Sequence, residues 1–181
     1  MCSTTESKSS LSFVITSWNA GCNSPDKEIL TRWLSTFGNP DIMVIGMQGL
    51  PNEYCSDKWE YAIIHILKAL PKRRYSSVGS SFQNGLYVGV FMDEPLILMR
   101  VVSELKFIKN KKKIQKRKET IVGMLQLCNI SVMLINCNFD NKIGNAGLRL
   151  KQLKSAFSEA VRKFDAVLSQ SDRRSVCIWC P

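Results

Sequence analysis

The run Asp41-Ile42-Met43-Val44-Ile45-Gly46-Met47-Gln48-Gly49 constrains the fold more than any other part of the chain. Apolar or small residues follow one another without alternation behind a Pro40-Asp41 start signal, the pattern of a strand buried on both faces. Its polar end, Gln48, falls where open sheets present ligand sites, at the carboxyl end of a strand. A second stretch of the same kind, Phe13-Val14-Ile15-Thr16-Ser17-Trp18-Asn19, is apolar and β-branched and also ends in a polar amide. Between the two, Pro25 and Asp26 open a helix predicted over 25–37. Ile29, Leu30, Trp33, Leu34 and Phe37 lie on one face of it, and Gly38-Asn39-Pro40 stops it. The opening is therefore a β-α-β unit whose two strands both end in a carboxamide.

The same reading continues down the chain. Pro51-Asn52-Glu53 is a turn, and 56–70 is an amphipathic helix ended by Pro71. Strands follow over 75–78, 85–92 and 96–108, the last two joined by a turn at Asp93-Glu94-Pro95. A hairpin is expected over 120–127 and 131–136. A long helix over 148–168 carries Leu150, Leu153, Ala156, Phe157, Ala160, Val161 and Phe164 on one face, and a strand over 175–179 comes last.

At 181 residues, 45% hydrophobic and 22% charged, the chain has the length and balance of one soluble domain with a real core. Residues 1–10 read as a polar, disordered tail and 11–181 as the domain. No apolar run approaches the roughly 18 residues of a membrane span. Seven cysteines is an odd number, and Cys22, Cys128 and Cys137 sit in or beside apolar runs, as free thiols do in a reducing cytoplasm. Cys177-Ile178-Trp179-Cys180 spells a CxxC without a second pair at zinc spacing, so Cys177 reads as a strand residue.

A strand ending Trp18-Asn19, a helix, and then Asp41-Ile42-Met43-Val44-Ile45-Gly46-Met47-Gln48 resembles the opening of the inositol polyphosphate 5-phosphatases, within the endonuclease/exonuclease/phosphatase superfamily. Asn136-Cys137-Asn138-Phe139 resembles that family's Asn-Cys-His-Leu, Arg149 its following arginine, and Val176-Cys177-Ile178-Trp179 the strand that leads into Trp-x-Gly-Asp-x-Asn. The resemblance implies the N-terminal half of a four-layer α/β/β/α sandwich with two mixed sheets. The activity it implies is Mg²⁺-dependent removal of phosphate from phosphoinositides or inositol polyphosphates.

The chemistry that this implies needs a carboxylate-held Mg²⁺, a base for water and groups that absorb transition-state charge. Asn19 and Gln48 match the family's site, but Gly49 stands where its glutamate anchor would be, and Asn138 stands where its histidine would be. A carboxamide can hydrogen-bond a phosphate oxygen but cannot move a proton near neutral pH. The Gly-Asp-x-Asn and Ser-Asp-His segments that supply the base are not in the sequence. Asn19, Gln48, Asn136 and Arg149 therefore read as a vestigial site, with no catalytic residue and no metal ligand. The one histidine, His65, lies in a helical apolar stretch and reads as structural.

From Lys106 to Lys118 the chain holds eight basic residues, against a net charge of +10 for the whole. Lys111, Lys112, Lys113, Lys116, Arg117 and Lys118 are the candidate anion-binding set, Lys118 falling near a lysine of the family's substrate-facing segment. Their partners would be inositol phosphate, phosphoinositide or an anionic membrane surface. Nucleic acid is the weaker fit, because only Phe107 could stack a base. Three readings follow. The first is a truncated, inactive phosphatase-like protein in the cytoplasm, peripheral at membranes. The second is an active phosphatase completed by sequence beyond Pro181 or by a partner. The third is a non-enzymatic anion-binding module. A sandwich cut midway is also expected to leave one sheet's inner face open to self-association.

Overall fold

The computed structural model describes residues 10–108, 119–128, 130–138, 146–168 and 174–180. The expected tail, apart from Ser10, lies outside them, as do Lys111, Lys112, Lys113, Lys116, Arg117 and Lys118. The elements run β1 (Phe13–Asn19), α1 (Lys27–Ser35), β2 (Ile42–Gln48), α2 (Glu53–Ala69), β3 (Tyr75–Gln83), β4 (Leu86–Asp93), α3 (Glu94–Leu98), β5 (Val102–Ile108), β6 (Glu119–Leu127), β7 (Ile130–Asn138), α4 (Ala146–Leu168) and β8 (Arg174–Cys180). Two four-stranded sheets result, ordered β1-β2-β4-β3 and β5-β6-β7-β8. Each is mixed: β1 and β2 are parallel, as are β7 and β8, and the other neighbours are antiparallel.

Side-chain alternation along these strands sorts the apolar residues into three layers of core. Met43, Ile45 and Met47 of β2 join Tyr87 and Phe91 of β4 under α1 and α2, meeting Leu30, Leu34, Trp59, Ile63 and Leu67. Ile42 and Val44 point the other way, with Val88, Val90 and Met92, against Ile121, Leu125, Val132 and Leu134 of the second sheet. Beyond that sheet, Val122, Met124, Met133, Ile135 and Cys137 pack on Ala156, Ala160 and Phe164 of α4. The order is helices, sheet, sheet, helix, the α/β/β/α sandwich expected. The open inner face expected of one sheet is corrected for β2, β4, β6 and β7, whose inner faces cover one another.

Two sequence expectations fail around Pro95. The region 96–108 is not one strand, and Asp93-Glu94-Pro95 does not join a hairpin. Pro95 sits in the first turn of α3, where its fixed φ suits a helix and its missing N–H is not needed. Leu96 anchors α3 in the inter-sheet core. Arg100, at φ +54°, then turns the chain toward β5 in the other sheet. β3 is also longer than read, its extension Gly79-Ser80-Ser81-Phe82-Gln83 following a register shift between Ser77 and Gly79. α2 begins at Glu53 because the Asn52 side chain accepts the Cys55 N–H at 2.9 Å, an N-cap read only as a turn. His65 is exposed on α2 and stacks on Tyr61, not buried among its apolar neighbours.

One ionic cluster ties the amino ends of β1 and β2 to the carboxyl end of β4. Asp41 is fully buried and accepts from the backbone and hydroxyl of Ser12, both at 2.7 Å. Arg73 Nη1 bridges Asp41 Oδ1 at 2.6 Å and Asp93 Oδ2 at 2.7 Å. Beside them Tyr75 donates its hydroxyl to Pro40 O at 2.5 Å. Arg73→Met would remove the ion pairs that tie buried Asp41 to Asp93, a loss of about 3 kcal/mol that urea unfolding would measure.

Burial pushes the Cys137 thiol up to about 11 from 9.0 and the Tyr75 hydroxyl up to about 12 from 10.0. The unfolded chain releases both protons first. Their contribution to stability is full below about pH 9 and is lost as pH rises through 11 to 12. Melting temperatures across that window should fall less steeply in Cys137→Ala than in the parent.

Candidate functional site

The polar ends of the inner strands converge at one end of the sandwich. In register, Asn19 lies beside Gln48, and β1 and β2 present the faces of Phe13, Ile15, Ile42 and Val44 to the opposite sheet. Gln48, Asn19, Asn136 and Asn138 belong to those same inward-facing series by alternation. Asn136 is fully buried. Its Nδ2 donates to Met47 O at 3.1 Å and to Tyr87 O at 2.8 Å, and its Oδ1 accepts from Gln48 Nε2 at 2.9 Å. The structure thus joins two of the sequence-predicted residues directly, and both are engaged in holding the sheets together. Asn138, two residues on, ends β7 exposed. Arg149 stands half-exposed near the start of α4 and makes no ion pair with a described residue.

The loop after β1 folds back over Gly49. Ala20 N donates to Gln48 O and Cys22 N to Gly49 O, both at 2.8 Å, while Gly21 N donates to Asn19 Oδ1 at 3.0 Å. The Trp59 indole fixes the same loop by donating to Asn23 O at 3.1 Å. Gly49 itself lies at φ +75°. A Cβ there would sit 2.9 Å from Asn19 Oδ1 and 3.0 Å from Gly21 N. The local backbone has therefore closed around a position without a side chain.

This donor set does not fit Mg²⁺. The ion requires oxygen ligands in octahedral geometry with a carboxylate anchor. At this end the Asn19 oxygen is bonded to Gly21 N–H and the Asn136 oxygen to Gln48, and both groups are neutral amides. Glu53, the nearest carboxylate in sequence, is exposed at the start of α2. Among the described residues, no group of three His, Cys, Asp or Glu side chains could hold a metal. Sequence reasoning missed the bridging role of Asn136, whose only signal is a polar residue in the inward phase of an apolar strand. It also missed the Asp41, Arg73 and Asp93 cluster, whose partners are far apart in sequence.

The basic segment has its two roots here as well. Ile108 and Glu119 pair with Val122 and Asn138, so β5 and β6 open toward 109–118 at the end that holds Asn136 and Gln48. Phe107 packs into the inter-sheet core and is not presented for stacking.

The sequence pattern of endonuclease/exonuclease/phosphatase family 2 matches residues 16–180, nearly the whole chain. The chain belongs to this family. Among solved structures, the inositol polyphosphate 5-phosphatase domain of SPsynaptojanin, in complex with inositol (1,4)-bisphosphate and calcium ion, superposes with a TM-score of 0.65 at 16% identity. The match covers 76% of this chain and 42% of that one, so the chain spans about two-fifths of the length of that relative. A nitrophorin of Cimex, as its ferrous NO complex, superposes at 0.54 and 16% identity, over 75% of this chain and 49% of that chain. Likeness at this identity is likeness of fold, and the two neighbours carry different ligands on it. No curated protein sequence matches the chain.

Two substitutions separate the roles at this end. Asn136→Leu should cost about 3 kcal/mol, since three buried hydrogen bonds, to Met47 O, Tyr87 O and Gln48, are lost, whereas Asn138→Ala should stay within about 0.5 kcal/mol. Gly49→Ala should also destabilise, by about 1–3 kcal/mol, because φ and the Asn19 contact both oppose a Cβ. Gly49→Glu meets the same obstacle. Thermal and urea unfolding of the four variants checks the ranking.

Proposed function

We propose that this protein is a non-catalytic inositol polyphosphate 5-phosphatase-like protein of the cytoplasm that binds phosphate-bearing inositol headgroups through its lysine-rich segment. The observation that carries this reading is Gly49. Its left-handed backbone and the Asn19 oxygen 2.9 Å from its Cβ position support the reading that no carboxylate anchors a metal at this position. Gln48 and Asn136 support it, because their amides bridge the sheets. The binding half of the reading rests on charge. Eight basic residues lie between Lys106 and Lys118, and the register of the flanking β5 and β6, whose ends at Ile108 and Glu119 lie on the side of Asn136 and Asn138, supports the reading. Lysines there would attract phosphate oxygens by long-range charge and bind them as point charges.

The experiment uses the purified chain with inositol (1,4)-bisphosphate and with phosphoinositide vesicles. Binding is expected at low salt and should weaken steeply as the Debye length falls toward about 8 Å. Replacing Lys111, Lys112 and Lys113 together with Ala should reduce affinity for inositol (1,4)-bisphosphate at least about tenfold, and Gln48→Ala should leave it unchanged. No Mg²⁺-dependent phosphate release is expected from either ligand. Release that Gln48→Ala abolishes would return the active-phosphatase reading, and inositol (1,4)-bisphosphate binding that survives the triple replacement would remove the binding-module reading.

A further inference from the structure

At the opposite end of the first sheet, α2, the connection to β3 and α3 enclose a surface cleft of about 530 Å³, lined in part by Lys68, Lys72, Arg73, Arg74, Pro95 and Leu98. Its acidic groups already have partners. Asp93 accepts from Arg73, and Glu94 accepts from the Ser76 hydroxyl at 2.9 Å. Arg73 uses only Nη1 in its two ion pairs, and its other N–H groups donate to no described residue. Lys68, Lys72 and Arg74 are exposed and form no ion pair with a described residue. The exposed cations Lys68, Lys72 and Arg74 thus outnumber the cleft's two carboxylates, of which Asp93 is ion-paired with Arg73.

Beside these cations stands an apolar tip. Leu98 is 84% exposed and Met99 67%, and exposed Arg100 follows them. The tip is fixed in position: Leu96 is buried between the sheets, and Arg100 N and Val101 N donate to Ile97 O and Leu96 O at 2.9 and 3.2 Å. Single exposed apolar residues are ordinary. An adjacent pair held outward by a closed turn and bordered by unpaired cations is the arrangement that meets a lipid interface, with apolar groups in the acyl boundary and cations at the phosphates. A nucleic acid would use the cations but gain nothing from Leu98 and Met99.

We propose that this end of the molecule docks on an anionic phospholipid bilayer, Leu98 and Met99 entering the interface while Lys68, Lys72, Arg74 and Arg100 lie at the level of the lipid phosphates. The seven residues of β2 separate this end from Gln48 by roughly 20 Å at about 3.3 Å per residue. Docking in this sense turns the candidate site and the roots of the basic segment away from that bilayer, so the two ends engage their ligands separately. The proposal is independent of the lysine-rich segment.

The test is co-sedimentation of the whole chain with vesicles of phosphatidylcholine, alone or mixed with phosphatidylserine. Binding is expected only to the mixed vesicles. Lys72→Glu combined with Arg74→Glu should lower partitioning at least about 20-fold, at roughly fivefold per cation. Leu98→Asp should lower it further, and circular dichroism of each variant separates lost binding from lost fold. A Leu98→Trp variant should show extra emission quenched by brominated lipid in the mixed vesicles. Three results would overturn the proposal. One is vesicle binding unchanged by Lys72→Glu, Arg74→Glu and Leu98→Asp. Another is vesicle binding abolished by replacing only Lys111, Lys112 and Lys113. The last is displacement by inorganic phosphate at concentrations that leave ionic strength constant, which would mark a soluble-phosphate cleft.

Discussion

Asn136 is the point through which the two sheets are fixed to each other. An apolar interface between sheets resists separation but has little preference for one exact offset, since dispersion and area burial are non-directional. A carboxamide that donates to Met47 O and Tyr87 O and accepts from Gln48 has one geometry that satisfies it. Buried in a low-dielectric core, any slip that broke these bonds would leave several polar groups unpaired, so the directional bonds set the offset that the apolar residues then stabilise. The strand ends that gather around Asn136 gain their proximity from this one constraint.

The same bonds account for what this end of the protein does chemically. A carboxamide holding two sheets together presents a satisfied oxygen, and a glycine in a left-handed conformation presents none. In a phosphatase with this fold the corresponding end has to hold a divalent cation, which demands anionic oxygens that are close together and preorganised toward an ion. Here the preorganisation is directed inward. The loop from Ala20 to Asn23 closes over Gly49 through backbone bonds, and the Trp59 indole secures it.

The opposite end of the first sheet follows a different logic. Asp41 is buried and ionic, and Arg73 keeps it paired while tying the start of β2 to the end of β4. A buried pair of this kind is weak evidence for net stability, but losing one partner is costly. Asp93 is ion-paired with Arg73, the exposed cations Lys68, Lys72 and Arg74 make no ion pair with a described residue, and Leu98 and Met99 stand exposed beside them. The polarity of the molecule is thus divided between two ends joined by apolar strands.

The sequence by itself determined the strands, most of the helices and the order of the layers, because unbroken apolar runs such as 41–49 and the helical spacing of Leu30, Leu34, Ala156 and Ala160 encode burial locally. Its resemblance to a known family also raised the expectation that Asn19, Gln48, Asn136 and Arg149 share one site, and the structure brings Gln48 and Asn136 into direct contact. Only the tertiary structure decided which way those amides face, that Gly49 is left-handed under the β1 loop, that Pro95 starts a helix, and that Arg73 meets Asp41 across 32 positions. Hydrogen bonds and ion pairs between residues distant in sequence leave no periodic trace. Local patterns record which residues avoid water, while the partner that satisfies a buried polar group is chosen by packing.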